Sequence, residues 1–318
     1  MKRNIFSLLV AMNLAAVASI AAAQTKINIF SGVSPVFAPP FVAHVNGYFE
    51  EEGLDVDVKT FQAGAQAAEA FRSGGAQFLV TCDQPMIAMA AAGDAIIVTQ
   101  FSDSNNMVFV MGPKGASGPG DLMGKKVGVF RKSGSEFMLE KYMESGGLSI
   151  EEVEMVHLAP FDQVPALVNG NVDAISLWKP FDLRVMGLSD EFEILATTGD
   201  VGYSLYCGML ASRAYLESAP QGEMQAFMRA VKKGSDFLIE SHEEGIETIS
   251  AFTKLQPSDV AHTIEGVKWE LVSDEAFRSQ MREIEQFLLR LDILKEPIDW
   301  DSAADYSYIR ELDPSLVR

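Results

Sequence analysis

The 318-residue sequence is poor in the residues that carry redox and metal chemistry. It has two cysteines, Cys82 and Cys207, and four histidines, His44, His157, His242 and His262. No Cys-x-x-Cys occurs and the histidines are scattered, so the ligand spacing of a zinc site is missing. Positive charge is also scarce, with 25 Lys and Arg against 44 Asp and Glu. Such a chain lacks the basic face that nucleic acid or an anionic membrane surface requires, although one cleft on an acidic body can still be locally positive. No Ser, His and Asp order, acid–base carboxylate pair or cysteine cluster marks a catalytic centre. Glu136, Glu140 and Glu144 recur every four residues, the spacing of a solvated helix face. The two cysteines leave two readings open, a bond formed in an oxidising compartment or a pair of buried thiols. Neither a metal nor a cofactor is expected.

What is present begins with an apolar run. Lys2 and Arg3 precede residues 5–20, and Ala21, Ala22 and Ala23 follow. That is the form of a secretory signal peptide cut after Ala23. Ser7, Asn13 and Ser19 interrupt the run and no stop-transfer flank follows, which disfavours a membrane anchor. With no cysteine near the cut, a lipid-modified terminus is not expected. The expected location is therefore the periplasm.

Downstream, strand-like and helix-like patterns alternate. "KINIFSG", "LDVDVKTF", "FLVTC" and "AIIVTQF" read as strands separated by helices, one of which runs through Phe41, Val42, Val45 and Phe49. This order predicts a parallel sheet covered by helices. "MVFVMG" leads away, the Gly- and Pro-rich "GPKGASGPGDLMG" marks a boundary, and "KVGVF", "VEMVHL", "DAISLW" and "FEILATTG" make a second round. "LYCGMLAS" is placed to return to the first unit, and the remainder is predicted helical. The predicted architecture is α/β, with two doubly wound lobes joined by two hinge crossings. Residues 24–105 and 206–318 form lobe 1, and 106–205 form an inserted lobe 2.

In open α/β sheets ligands sit beyond the carboxyl ends of strands, beside helix N-termini. The segments that meet this condition are 31–37, 62–66, 81–84, 131–135, 178–182 and 198–203. "GVFRKSGSEFMLEKYM" is the most suggestive: an apolar strand runs into Arg131, Lys132, Ser133, Gly134 and Ser135, where a helix opens. Free N–H groups and the positive dipole end suit an anion there. An ordinary serine cap with two exposed cations is the plainer reading.

Several stretches then resemble the periplasmic solute-binding proteins for sulfonates, nitrate and thiamine-precursor pyrimidines. They are "SGVSPVFAPPFVAHVNGYFEEEGLDVDV", "AGAQAAEAFRSGGAQFLVT", "AAGDAIIV", "DLMGKKVGV" and "LVNGNVDAISLWKPF", in the family's order up to about Ser218. The resemblance implies a type II periplasmic-binding-protein-like fold. It also implies a small-molecule ligand held by a monomer, and an ABC permease and ATPase as partners. It places Arg131, Ser133, Gly134 and Ser135 at an anionic group of the ligand. Trp178 matches the family's tryptophan, which covers the ligand or plugs the core, while Lys179 and Arg184 read as solvated surface. Asp83 departs from the small residue usual there: facing the ligand it would favour an amine or amide donor, and otherwise it caps the next helix. Ser34, Gln66, Thr81 and Gln84 are neutral hydrogen-bonding candidates, and Asp182 and Tyr203 complete the set. The expected solute is a small organic anion or zwitterion, such as an aliphatic sulfonate, a taurine-like molecule or nitrate. A pyrimidine carrier is the alternative, and an enzyme of the pyrimidine-synthase-like branch is a remoter one.

Overall fold

The computed structural model describes residues 26–318, so the expected signal peptide lies outside the described residues. The strands are β1 (Lys26–Gly32), β2 (Asp55–Phe61), β3 (Phe78–Cys82), β4 (Ala95–Ser104), β5 (Val108–Pro113) and β6 (Lys126–Val129). They continue with β7 (Glu154–His157), β8 (Ala174–Trp178), β9 (Phe192–Thr197), β10 (Leu205–Ser212) and β11 (Lys268–Val272). They form two sheets, ordered β11-β4-β10-β3-β1-β2 and β7-β6-β8-β5-β9. The chain passes from the first to the second after β4, and returns through the turn Thr198–Val201 into β10.

Burial explains the strand patterns. Central β3 carries Phe78, Leu79, Val80 and Thr81, all fully buried, because helices cover both faces. Edge strand β2 keeps the polar–apolar alternation, with Val56 buried between exposed Asp55 and Asp57.

Three expectations need correction. The first sheet is mixed: β1 pairs in parallel with β2 and β3, whereas β10 lies antiparallel between β3 and β4. The C-terminal region is not wholly helical, because β11 adds an antiparallel edge beside β4. Its Lys268 and Glu270 are exposed while Trp269 and Leu271 are buried, a period of two overlooked between the helices Pro257–Ile264 and Glu275–Arg290. Finally, the helix foreseen through Phe49 stops at Val45 and restarts at Tyr48, since Gly47 turns to a φ of 75°.

The second sheet is mixed too, with β6 parallel to β7 and β8, and β5 antiparallel to β8 and β9. The open cysteine question is answered by register: Cys82 faces Cys207 across β3 and β10, and the two are bonded. One apolar core underlies the first sheet and reaches the helix Gly134–Ser145 of the second, where Phe137 meets Phe287 and Tyr203 with centroids 5.1 and 5.0 Å apart.

Candidate functional site

The strand ends of the two sheets meet around a cavity of about 60 Å³, several times the ~10–15 Å³ that admits one water. Every segment that the strand-end rule selected, apart from 198–203, contributes to its wall. Val33, Ser34, Val36 and Phe37 follow β1, Gln62, Ala63, Gly64 and Ala65 follow β2, and Thr81, Cys82 and Pro85 come from the end of β3 and the helix after it. From the other sheet come Ser133, Gly134 and Trp178, with Met107, Val108 and Leu205 from the crossings.

Two wall atoms are chemically incomplete. Ser34 Oγ and Thr81 Oγ1 are buried and have no hydrogen-bond partner among the described residues. A buried hydroxyl left in that state costs about 1–3 kcal/mol unless something in the cavity completes it. Gly64 is required where it lies, because a Cβ there would stand 2.4 Å from Thr81 Oγ1. The turn Pro35–Phe37 is fixed by Ser102 Oγ, which donates to the Val36 carbonyl over 2.9 Å.

The loop ahead of helix Gly134–Ser145 divides its residues between two cavities. Ser133 and Gly134 face the inner one, with Ser133 Oγ capping the helix through the Ser135 N–H at 3.3 Å. Ser135 does not line it: its hydroxyl binds the Phe130 carbonyl at 3.1 Å. Arg131 does not line it either. Its Nε donates to Glu136 Oε1 over 2.9 Å, and the Glu136 side chain is fully buried. The expected neutraliser of the ligand is thus an internal ion partner, because the loop turns back over Glu136 and also delivers the Lys132 N–H to it at 2.7 Å.

An outer cavity holds Arg131, Lys132, Gln66 and Gln84 against an apolar wall that includes Leu288, Leu291 and Leu294. The Gln84 amide is buried and both its polar atoms lack partners among the described residues.

Asp83 has internal partners as well. It is the first residue of helix Asp83–Ala91, Oδ1 accepts the Gln84 N–H at 2.7 Å, and Oδ2 accepts the Tyr203 hydroxyl at 2.5 Å. Burial raises its carboxyl from an ordinary 3.8 to about 7, against the lowering effect of both hydrogen bonds. Burial and the neighbouring carboxyl likewise push the Tyr203 hydroxyl well above its ordinary value. Neither residue lines the inner cavity. The pair nonetheless abuts it, since a Cβ on Gly134 would come within 2.9 Å of the Tyr203 hydroxyl and 3.8 Å of Asp83 Oδ1.

Trp178 lines the cavity and packs edge-on against Phe130 and Phe181. Lys179 is buried rather than solvated, at 4% exposure, whereas Arg184 lies over the Phe161 and Phe181 rings. Asp182 does not line the inner cavity but meets His262, which no sequence pattern singled out.

Two mixed α/β sheets, two crossings and a cavity at the strand ends define the periplasmic-binding-protein-like class. The structure aligns with the alkanesulfonate-binding protein SsuA from Xanthomonas axonopodis pv. citri bound to MOPS. The TM-score is 0.74 at 20% identity, over 90% of this chain and 99% of that one. The chain belongs to the NMT1/THI5-like family, whose profile matches residues 34–245. It is 26% identical over 290 residues to a candidate aliphatic sulfonates-binding protein of Bacillus subtilis (strain 168), covering 88% of this chain and 86% of the relative. Over 226 residues it is 28% identical to the formylaminopyrimidine-binding protein of Halalkalibacterium halodurans, covering 66% of this chain and 64% of the relative.

Proposed function

We propose that this protein is the exported solute-binding component of an ABC importer. In this reading it holds a small organic anion or zwitterion between its two sheets and passes it to a permease driven by an ATPase. The observation that carries the reading is the inner cavity, where the partnerless hydroxyls of Ser34 and Thr81 stand opposite Ser133 and Gly134 at a helix N-terminus. Neutral donors and a helix dipole satisfy the oxygens of a sulfonate without a full counter-charge. Aromatic Trp178 and Phe37, with Val33 and Val36, supply an apolar wall for a short carbon chain. The sulfonate-binding relatives support this solute class, and among the described residues the cavity wall carries no buried carboxylate to pair with an aminopyrimidine edge. We assign the protein a carrier role without chemistry of its own.

Isothermal titration with methanesulfonate, taurine, nitrate and a 4-aminopyrimidine tests the reading. Saturable one-site binding of a sulfonate, with a matching rise in melting temperature, is expected. Binding of the aminopyrimidine alone would reassign the solute, and binding of none would remove the carrier role.

A further inference from the structure

His262 and Asp182 are 80 residues apart in sequence and belong to different halves of the molecule. Asp182 is the second residue of helix Phe181–Leu188, which follows β8 and Trp178, and its side chain is fully buried. His262 stands near the end of helix Pro257–Ile264, which packs against the turn Pro35–Phe37 of the first half. Its Nε2 lies 2.6 Å from Asp182 Oδ2, while Asp182 Oδ1 is buried with no partner among the described residues. Two further charged groups face the pair. Lys179 comes from the half of Asp182 and Glu265 from the half of His262, and both acids draw on the lysine against the cost of its burial. Each half therefore brings one acid and one base to the seam. Both halves of the seam adjoin the inner cavity, which is lined by Trp178 on one side and by Val36 and Phe37 on the other.

We propose that the Asp182–His262 contact is a clasp that fastens the halves at the rim of the cavity, with His262 as a positioning residue that sets how long a solute is retained. This rests on the reading that the halves close over a solute. When the halves part, water solvates the carboxylate. When they meet, it is enclosed, and the imidazole is its one direct hydrogen-bond partner among the described residues. A buried carboxylate stripped of its partner is strongly unfavourable, so the contact separates the free energies of the closed and open forms. His262 does not line the cavity, so its effect falls on departure of the solute more than on arrival.

The test uses the full chain, with small-angle X-ray scattering of the ligand-free protein and stopped-flow dissociation of methanesulfonate. His262→Ala should enlarge the radius of gyration and speed dissociation about tenfold, with little change in association. His262→Gln, which keeps an N–H donor, should restore most of both. Asp182→Asn removes the enclosed charge, so His262→Ala made in that background should have a much smaller effect. Unchanged radius and dissociation in His262→Ala would overturn the proposal, as would equal impairment by Ala and Gln or additive effects in the double variant. If methanesulfonate does not bind the wild-type chain, the solute assignment fails and the scattering comparison alone decides the clasp.

Discussion

At the scale of single residues, the useful distinction is between polar groups that are already satisfied and those that are not. Thr81 Oγ1 has no partner among the described residues, so its loss should weaken solute binding and relieve the free protein. Thr81→Val keeps the shape and removes that hydroxyl, so we expect sulfonate affinity to fall about tenfold while the melting temperature of the free protein rises. Gly64→Ala should abolish binding in the same titration, because the added methyl occupies the place of that hydroxyl. Asp83 is satisfied and buried, and its consequence is pH dependence. Its carboxyl is raised to about 7, so its favourable contribution is complete below the unfolded value and is lost as pH rises through the folded one. Thermal unfolding should therefore show stability falling between about pH 4 and about pH 7 at this site, and Asp83→Asn should flatten that part of the profile. The sequence located Ser34, Thr81, Ser133 and Gly134 because strand ends are visible in hydrophobic patterning. It did not show that Asp83 would be shielded by Tyr203, 120 residues away, since no local pattern encodes a partner at that distance.

Among the elements, helix Gly134–Ser145 is the most informative. Its N-terminus faces the cavity, but the cation just before it belongs to Glu136. Arg131→Ala should lower unfolding free energy by about 1–2 kcal/mol, the cost of leaving a buried acceptor short of a donor, and should leave sulfonate affinity within about twofold. A variant that folds as stably as wild type but no longer binds would restore Arg131 to the solute. The same elements show what patterning conveys and what it does not. Central strands such as β3 and β8 announce themselves as apolar runs between turns. Direction and neighbour do not show in such runs, and β10 reads the same whether it extends a parallel sheet or enters antiparallel between two strands. β11 was hidden because five residues between two amphipathic helices offer too short a window for its alternation to stand out.

For the molecule as a whole, the bond between Cys82 and Cys207 closes a loop that contains every strand of the second sheet, with a sequence separation of 125. A loop of that length restricts the unfolded chain strongly, and reduction should cost about 2–5 kcal/mol in denaturant unfolding. A smaller loss, or none, would mean that the reduced unfolded chain is already compact. Cys82 also lines the cavity, so the same reduction should weaken solute binding, whereas the distant ion pair Lys232–Asp236 can be removed without effect on it.

The position of β10 has a further bearing on how the protein comes into being. Synthesis on the ribosome releases β3 and β4 more than a hundred residues before the strand that must lie between them. The first half is thus born incomplete, with two strand edges waiting, while the second half can assemble from contiguous sequence. Any pause or truncation before residue 205 would leave those edges open to other chains, and so a strand made late guards two made early against aggregation.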